Sequence, residues 1–82
     1  MAIEVTLYTR HRCFLCDKAK ASIRAAASLH RLPIELREVN VDEDPALRER
    51  FTNDVPVIYV NGVEAFRHHL SPQEFADYVK RQ

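Results

Sequence analysis

From residue 3 to residue 8 apolar side chains alternate with others. Ile3, Val5 and Leu7 fall on one face, Thr6 and Tyr8 on the other, and β-branched and aromatic types dominate. A period of two with that composition predicts a strand, buried on both sides. After Thr9 the period lengthens. Leu15, Ala19, Ile23, Ala26 and then Leu29 or His30 recur at helical spacing, while Asp17, Lys18, Lys20 and Arg24 face outward. This helix should begin near Cys13 and end before Pro33, with His30 and Arg31 suiting its negative C-terminal end.

Residues 35–41 read as a second, weaker strand, because Leu36 falls on the face opposite Val39 and Val41; an edge position fits. Asp44-Pro45 then offers an N-cap and a proline at the first helical position, opening a short helix through Phe51. Val55-Pro56 precedes the β-rich run Val57-Ile58-Tyr59-Val60, and Asn61-Gly62 separates it from residues 63–66. Asn-Gly between two such runs signals a hairpin, since both turn residues need positive φ. Finally Ser71-Pro72-Gln73-Glu74 is a capping box with proline inside it, opening a helix whose Phe75, Tyr78 and Val79 face inward.

The order is therefore β-α-β-α-β-β-α. Two strands joined through a helix should run parallel with a right-handed crossover, and the last two should form an antiparallel hairpin. The expected α/β fold is one mixed four-stranded sheet, in order 2-1-3-4, flanked by helices.

Composition narrows the class. Eighty-two residues suit one domain, residues 1–82, and 46% hydrophobic with 29% charged side chains is the mix of a globular chain rather than a disordered one. No apolar run approaches the roughly 20 residues of a membrane helix. Met1-Ala2-Ile3-Glu4 lacks the basic start and apolar middle of a secretory leader, so a cytoplasmic location is expected. Twelve basic and twelve acidic residues cancel, so no overall field favours nucleic acid. The charge is uneven, however. Residues 1–34 carry six basic and two acidic side chains, and residues 35–54 carry three and seven. Within the basic part, Arg10-His11-Arg12 stands directly before Cys13.

The two cysteines, Cys13 and Cys16, are separated by Phe14-Leu15. Two cysteines make no secreted disulfide framework, so a C-x-x-C pair here points to redox or metal chemistry. A thiol reacts as its thiolate, and a helix start beside Arg10, His11 and Arg12 would lower the Cys13 pKa. A Cys2His2 zinc set drawn from His11, Cys13, Cys16, His68 and His69 is the rival. Its spacing matches no compact zinc module, adjacent histidines point apart on a strand, and the flanking arginines disfavour a cation, so no metal site is expected.

Strand, turn, C-x-x-C and helix together bring out a family resemblance. Leu7-Tyr8-Thr9 leading into Cys13-Phe14-Leu15-Cys16, Val55-Pro56 before the third strand, and the Asn61-Gly62 hairpin resemble a glutaredoxin-like member of the thioredoxin superfamily over essentially the whole chain. The active-site run through Asp17 is similar to the small bacterial group with Cys-x-Leu-Cys-Asp. Two departures stand out. Phe66-Arg67 occupies the region where glutathione-binding glutaredoxins carry Gly-Gly, and Asp54 stands where they usually have Thr two places before the proline.

The resemblance implies a thiol–disulfide oxidoreductase acting on disulfide-containing proteins, with glutathione or a reductase as electron source and no bound cofactor. Cys13 would be the nucleophile and Cys16 the resolving thiol. Pro56 would be cis, leaving the Val55 backbone free to pair with an extended substrate. Phe14 would offer an exposed contact beside the disulfide while Leu15 fits the core. Arg10, Arg12 and Arg67 complete the candidate substrate-binding set, Arg10 and Arg67 as cations for a carboxylate. A monomer is expected. A non-catalytic thioredoxin-fold interaction module, and a metal or iron–sulfur domain built on the same cysteines, are the alternatives.

Overall fold

The computed structural model describes residues 2–51 and 53–82. Strand β1 (Ile3–Thr9) leads into helix α1 (Phe14–His30), which returns the chain to β2 (Ile34–Asn40). A 3-10 turn, Val41–Glu43, and the short helix α2 (Pro45–Phe51) precede the hairpin of β3 (Val57–Val60) and β4 (Val63–Arg67), and helix α3 (Pro72–Lys80) closes the chain. The sheet order is β2-β1-β3-β4, with β1 parallel to β2 and antiparallel to β3, as the element order implied.

The alternation along β1 and β3 builds two cores, one on each face of the sheet. Val5, Leu7, Ile58 and Val60 point to the side where α1 and α3 lie, and there they meet Ala19, Ile23, Ala26, Phe75, Ala76 and Val79. Burying each of the larger aliphatic or aromatic side chains contributes about 1.5–3 kcal/mol. Tyr8, Val57 and Tyr59 point the other way, toward Val41 and toward Phe51 of α2. That second cover is small, so Thr6 and Tyr8 are half-buried rather than buried, and β1 is closed fully on one face only.

Local chemistry sets the ends of the elements. Ser71 and Glu74 form the reciprocal capping box of α3, with Ser71 Oγ accepting from the Glu74 amide and Glu74 Oε1 from the Ser71 amide. Asp44 Oδ1 accepts from the Ala46 amide at 2.9 Å at the start of α2. Asn61 and Gly62 adopt φ of 49° and 84°, the positive pair that the tight hairpin requires. Arg12, Arg31 and His68 also hold positive φ, at 55°, 52° and 71°.

At Gly62 an added Cβ would meet no atom within 4 Å, so only the backbone conformation opposes a larger residue. Gly62→Ala should therefore cost about 1–2 kcal/mol, the left-handed penalty of an L-residue, without disturbing packing. Denaturant titration would read it as a lowered midpoint at unchanged slope.

The helix phase differs from expectation at the start of α1. Cys16, not Leu15, takes the core place in the first turn of α1, and Leu15 is 44% exposed. Leu29 is exposed while His30 is half-buried, so the stripe ends on the histidine. In α3, Ala76 is buried and Tyr78 only partly so. Strand β2 lies one residue earlier than its pattern suggested, because Val41 leaves the strand to be buried under α2.

Candidate functional site

The pairing registers bring several chain segments to one end of the sheet. Thr9 lies beside Asn40 where the parallel pair finishes, Tyr8 beside Val57 where β3 starts, and Val57 beside Arg67 where β4 ends. The chain leaving β1 toward Cys13 and the chain entering β3 from Pro56 therefore share this end. The C-terminal edge of a parallel pair is where open α/β sheets place their sites.

Cys13 is the N-cap of α1, with extended backbone at φ −105° and ψ 102°. Its Sγ accepts from the Cys16 amide at 3.1 Å, so the sulfur occupies the place of a capping oxygen, where the positive helix end favours an anion. Cys13 and Cys16 are joined as a disulfide with Cα atoms 5.2 Å apart. The two sulfurs differ in access, since Cys13 is half-buried and Cys16 is 2% exposed. Phe14 is 72% exposed, with Lys18 Nζ 5.5 Å from its ring centroid. Expected as a core residue, Leu15 instead lines an open groove with Lys18, Ser22, His69 and Glu74.

The Val55-Pro56 peptide is cis, and Pro56 is buried. The candidate arginines have roles that spacing did not show. Arg10 donates to both carboxylate oxygens of Asp42, at 2.7 and 3.2 Å. Arg67 donates to both oxygens of Glu64, at 2.7 and 3.0 Å, and pairs with Asp54 at 3.1 Å. Both arginines nominated for a ligand carboxylate thus already hold carboxylates of the chain itself. Arg12 is exposed directly before Cys13. Of the five zinc candidates, His68 lies 3.2 Å from Asp54 and the cysteines are bonded to each other.

These pairs shift titrations in a checkable direction. The hydrogen bond from Arg10 holds the Asp42 carboxyl below its ordinary value, and that from Arg67 does the same for Glu64. Ordinary carboxyls titrate near about 4. A carboxyl depressed in the folded state stabilises the fold above that ordinary value, and the stabilisation is lost as pH falls through the lower, folded value. The melting temperature should accordingly fall on acidification below about pH 4. Asp42→Asn and Glu64→Gln should each make that acid limb shallower, which a pH series of thermal melts would show.

A family model for the glutaredoxin-like domain (DUF836) matches residues 4–80. A glutaredoxin-like protein of Dictyostelium discoideum is 29% identical over 73 residues, which span 84% of this chain and 68% of that protein. Among solved structures, a structural-genomics target protein from X. campestris has a TM-score of 0.81 at 23% identity, over 95% of this chain and 97% of that one. A protein from Nitrosomonas europaea scores 0.77 at 24% identity, over 93% and 89%. Thioredoxin-2 of the malaria parasite scores 0.74 at 19% identity, over 99% and 84%. At these identities the structural likeness is one of fold, and that fold is thioredoxin's.

Proposed function

The chain belongs to the glutaredoxin-like domain family, and from that premise we propose that it is a thiol–disulfide oxidoreductase that reduces protein or mixed disulfides through Cys13 and Cys16. The observation that carries this reading is the asymmetry of the pair. Cys13 is half-buried at a helix N-terminus directly after Arg12, and Cys16 is buried in the first turn.

The Cys13 thiolate attacks one sulfur of a substrate disulfide. The substrate S–S bond breaks, a mixed disulfide forms, and one substrate thiolate leaves and takes a proton. Cys16, losing its proton, attacks Cys13 Sγ; the mixed disulfide breaks, the second substrate thiol departs, and the Cys13–Cys16 bond holds the two electrons' worth of oxidation. An external thiol or dithiol then restores the reduced pair. Phe14, exposed beside the sulfurs, is the apolar contact for the substrate, and the backbone of Val55 ahead of cis-Pro56 pairs with an extended substrate segment.

The electron source follows from the ionic groups. Arg10 and Arg67 are bound to Asp42 and to Glu64 and Asp54, and Phe66-Arg67 fills the region where glutathione-binding relatives have glycines. Glutathione should bind poorly, leaving protein disulfides as preferred substrates and a reductase as the supply of electrons. The chemistry suits a reducing compartment such as the cytoplasm, with the protein acting as a monomer.

A disulfide substrate supplied with NADPH and either glutathione with its reductase or thioredoxin reductase tests the reading. Turnover should be supported by the thioredoxin reductase arm and be weak with glutathione. No turnover in either arm would sink the oxidoreductase reading, and a tight one-to-one glutathione complex of Cys16→Ser in calorimetry would overturn the reductant.

A further inference from the structure

The loop that carries cis-Pro56 is held at one end by an ionic and hydrogen-bonded knot to the end of β4. Asp54, two residues before the proline, pairs through Oδ2 with Arg67 Nη1 at 3.1 Å and through Oδ1 with His68 Nε2 at 3.2 Å. The Asp54 amide donates to the Phe51 carbonyl at 3.0 Å, and the His68 amide donates to the Pro56 carbonyl at 2.7 Å. Arg67 is itself fixed by its two bonds to Glu64, and its guanidinium lies 5.6 Å from the Phe51 ring centroid. Residues 54–56 are therefore tied on both sides, to the end of α2 and to the β4 exit where His68 turns through left-handed φ.

We propose that Asp54 is a positioning residue: through Arg67 and His68 it holds the Val55 backbone in the place where an extended substrate pairs, and so sets the preference for polypeptide disulfides over small ones. This rests on the oxidoreductase reading above. On it, Arg67 is no ligand site but half of a clamp, and the Asp54 carboxylate is engaged by Arg67 and His68 of the chain itself rather than presented to an incoming anion. The clamp acts only on substrates with a backbone. A small disulfide meets Cys13 alone and gains nothing from Val55.

The test compares the reduced protein with Asp54→Ala, each oxidised in a single turnover by two reagents and followed as loss of protein thiol. One reagent is a mixed disulfide on an extended peptide, the other bis(2-hydroxyethyl) disulfide, which has no peptide group to pair. The peptide rate should fall about fivefold, the scale of a partly exposed ionic contact, and the small-disulfide rate should stay within about twofold. Arg67→Met should slow the peptide reaction by a similar factor, and the double variant should be no slower than either single one, because the two residues act as one unit. Equal losses on both reagents, or additive losses in the double variant, would overturn the clamp.

Amide exchange supplies a readout that needs no catalysis. In Asp54→Ala the His68 amide, which donates to Pro56, should exchange at least about fivefold faster while the core amides of β1 and β3 keep their protection. Unchanged exchange at His68 overturns the proposal. If neither reagent oxidised the wild-type dithiol, the functional reading would fall and exchange alone would decide the clamp. Asp54→Asn, which keeps the shape and removes the charge, should give a smaller shift in the same direction and serves if the alanine variant folds poorly.

Discussion

Replacing Cys13 by serine should yield a folded protein that no longer reduces disulfides, its turnover dropping to that of thiol exchange in free solution. The remaining thiol cannot substitute. Cys16 is buried in the first turn of α1, with 2% of its surface exposed, so a substrate sulfur cannot approach it, and its reaction partner is the sulfur of Cys13. Nor does Cys16 share the setting of Cys13, which caps the helix with its sulfur and follows Arg12 directly. Helix end and neighbouring cation both favour a thiolate at that position. In the reduced protein at neutral pH, Cys13 should alkylate with iodoacetamide at least about tenfold faster than Cys16. Cys16→Ser should accumulate the mixed disulfide, visible as a mass increase equal to one substrate thiol. Retained turnover in Cys13→Ser, or equal alkylation of the two thiols, would refute the division of labour.

The second large effect concerns the fold. Phe75 is fully buried where α3 meets the sheet, its ring centroid 6.3 Å from that of Phe66. Phe75→Ala should cost about 3–5 kcal/mol, the usual loss for emptying an aromatic site in a packed core. For 82 residues the whole stability is about 4–12 kcal/mol, so this one change removes a large share of it. The melting temperature should fall by at least about 12 °C. Leu29→Ala is the control: that side chain is 76% exposed, and its loss should stay within about 0.5 kcal/mol. A Phe75 variant as stable as the Leu29 variant would contradict the packing described for this face.

Elements governed by short-range chemistry were legible in the sequence. The capping box at Ser71, the Asn61-Gly62 turn, the Asp44-Pro45 helix start and the C-x-x-C at the strand-to-helix junction each announce themselves within a few residues, and each lies where its chemistry put it. Contacts between distant segments were not legible. Nothing in the order of residues says that Arg10 would meet Asp42, 32 positions on, or that Arg67 would close on Asp54. Charges carry no periodicity that names a partner, and the acidic run from Asp42 to Asp44 was at most a hint.

Leu15 shows a different failure. At about 100° per residue, Leu15 and Cys16 sit on opposite shoulders of the stripe through Ala19, Ile23 and Ala26. Apolar character alone chose the leucine. The sheet covers only one shoulder, and it covers the cysteine. The irregularity between Ile58 and Tyr59 in the β3–β4 ladder, by which β4 extends to Arg67, likewise has no local marker.

The left-handed residues mark where the backbone of this chain is strained. With one glycine in the whole sequence, four other residues among those described adopt positive φ, and two of them, Arg12 and Arg31, are types that gain nothing from it. Arg31 sits at the C-cap of α1, where glycine is the ordinary occupant. Arg31→Gly would relax the backbone there, leaving the protein up to about 1 kcal/mol more stable with its site untouched. The same relief is on offer at Arg12, but there it would delete the cation that directly precedes Cys13. A search for hardier variants by stability alone would accept both changes. Only a search that also scored redox turnover would be expected to keep the first and reject the second.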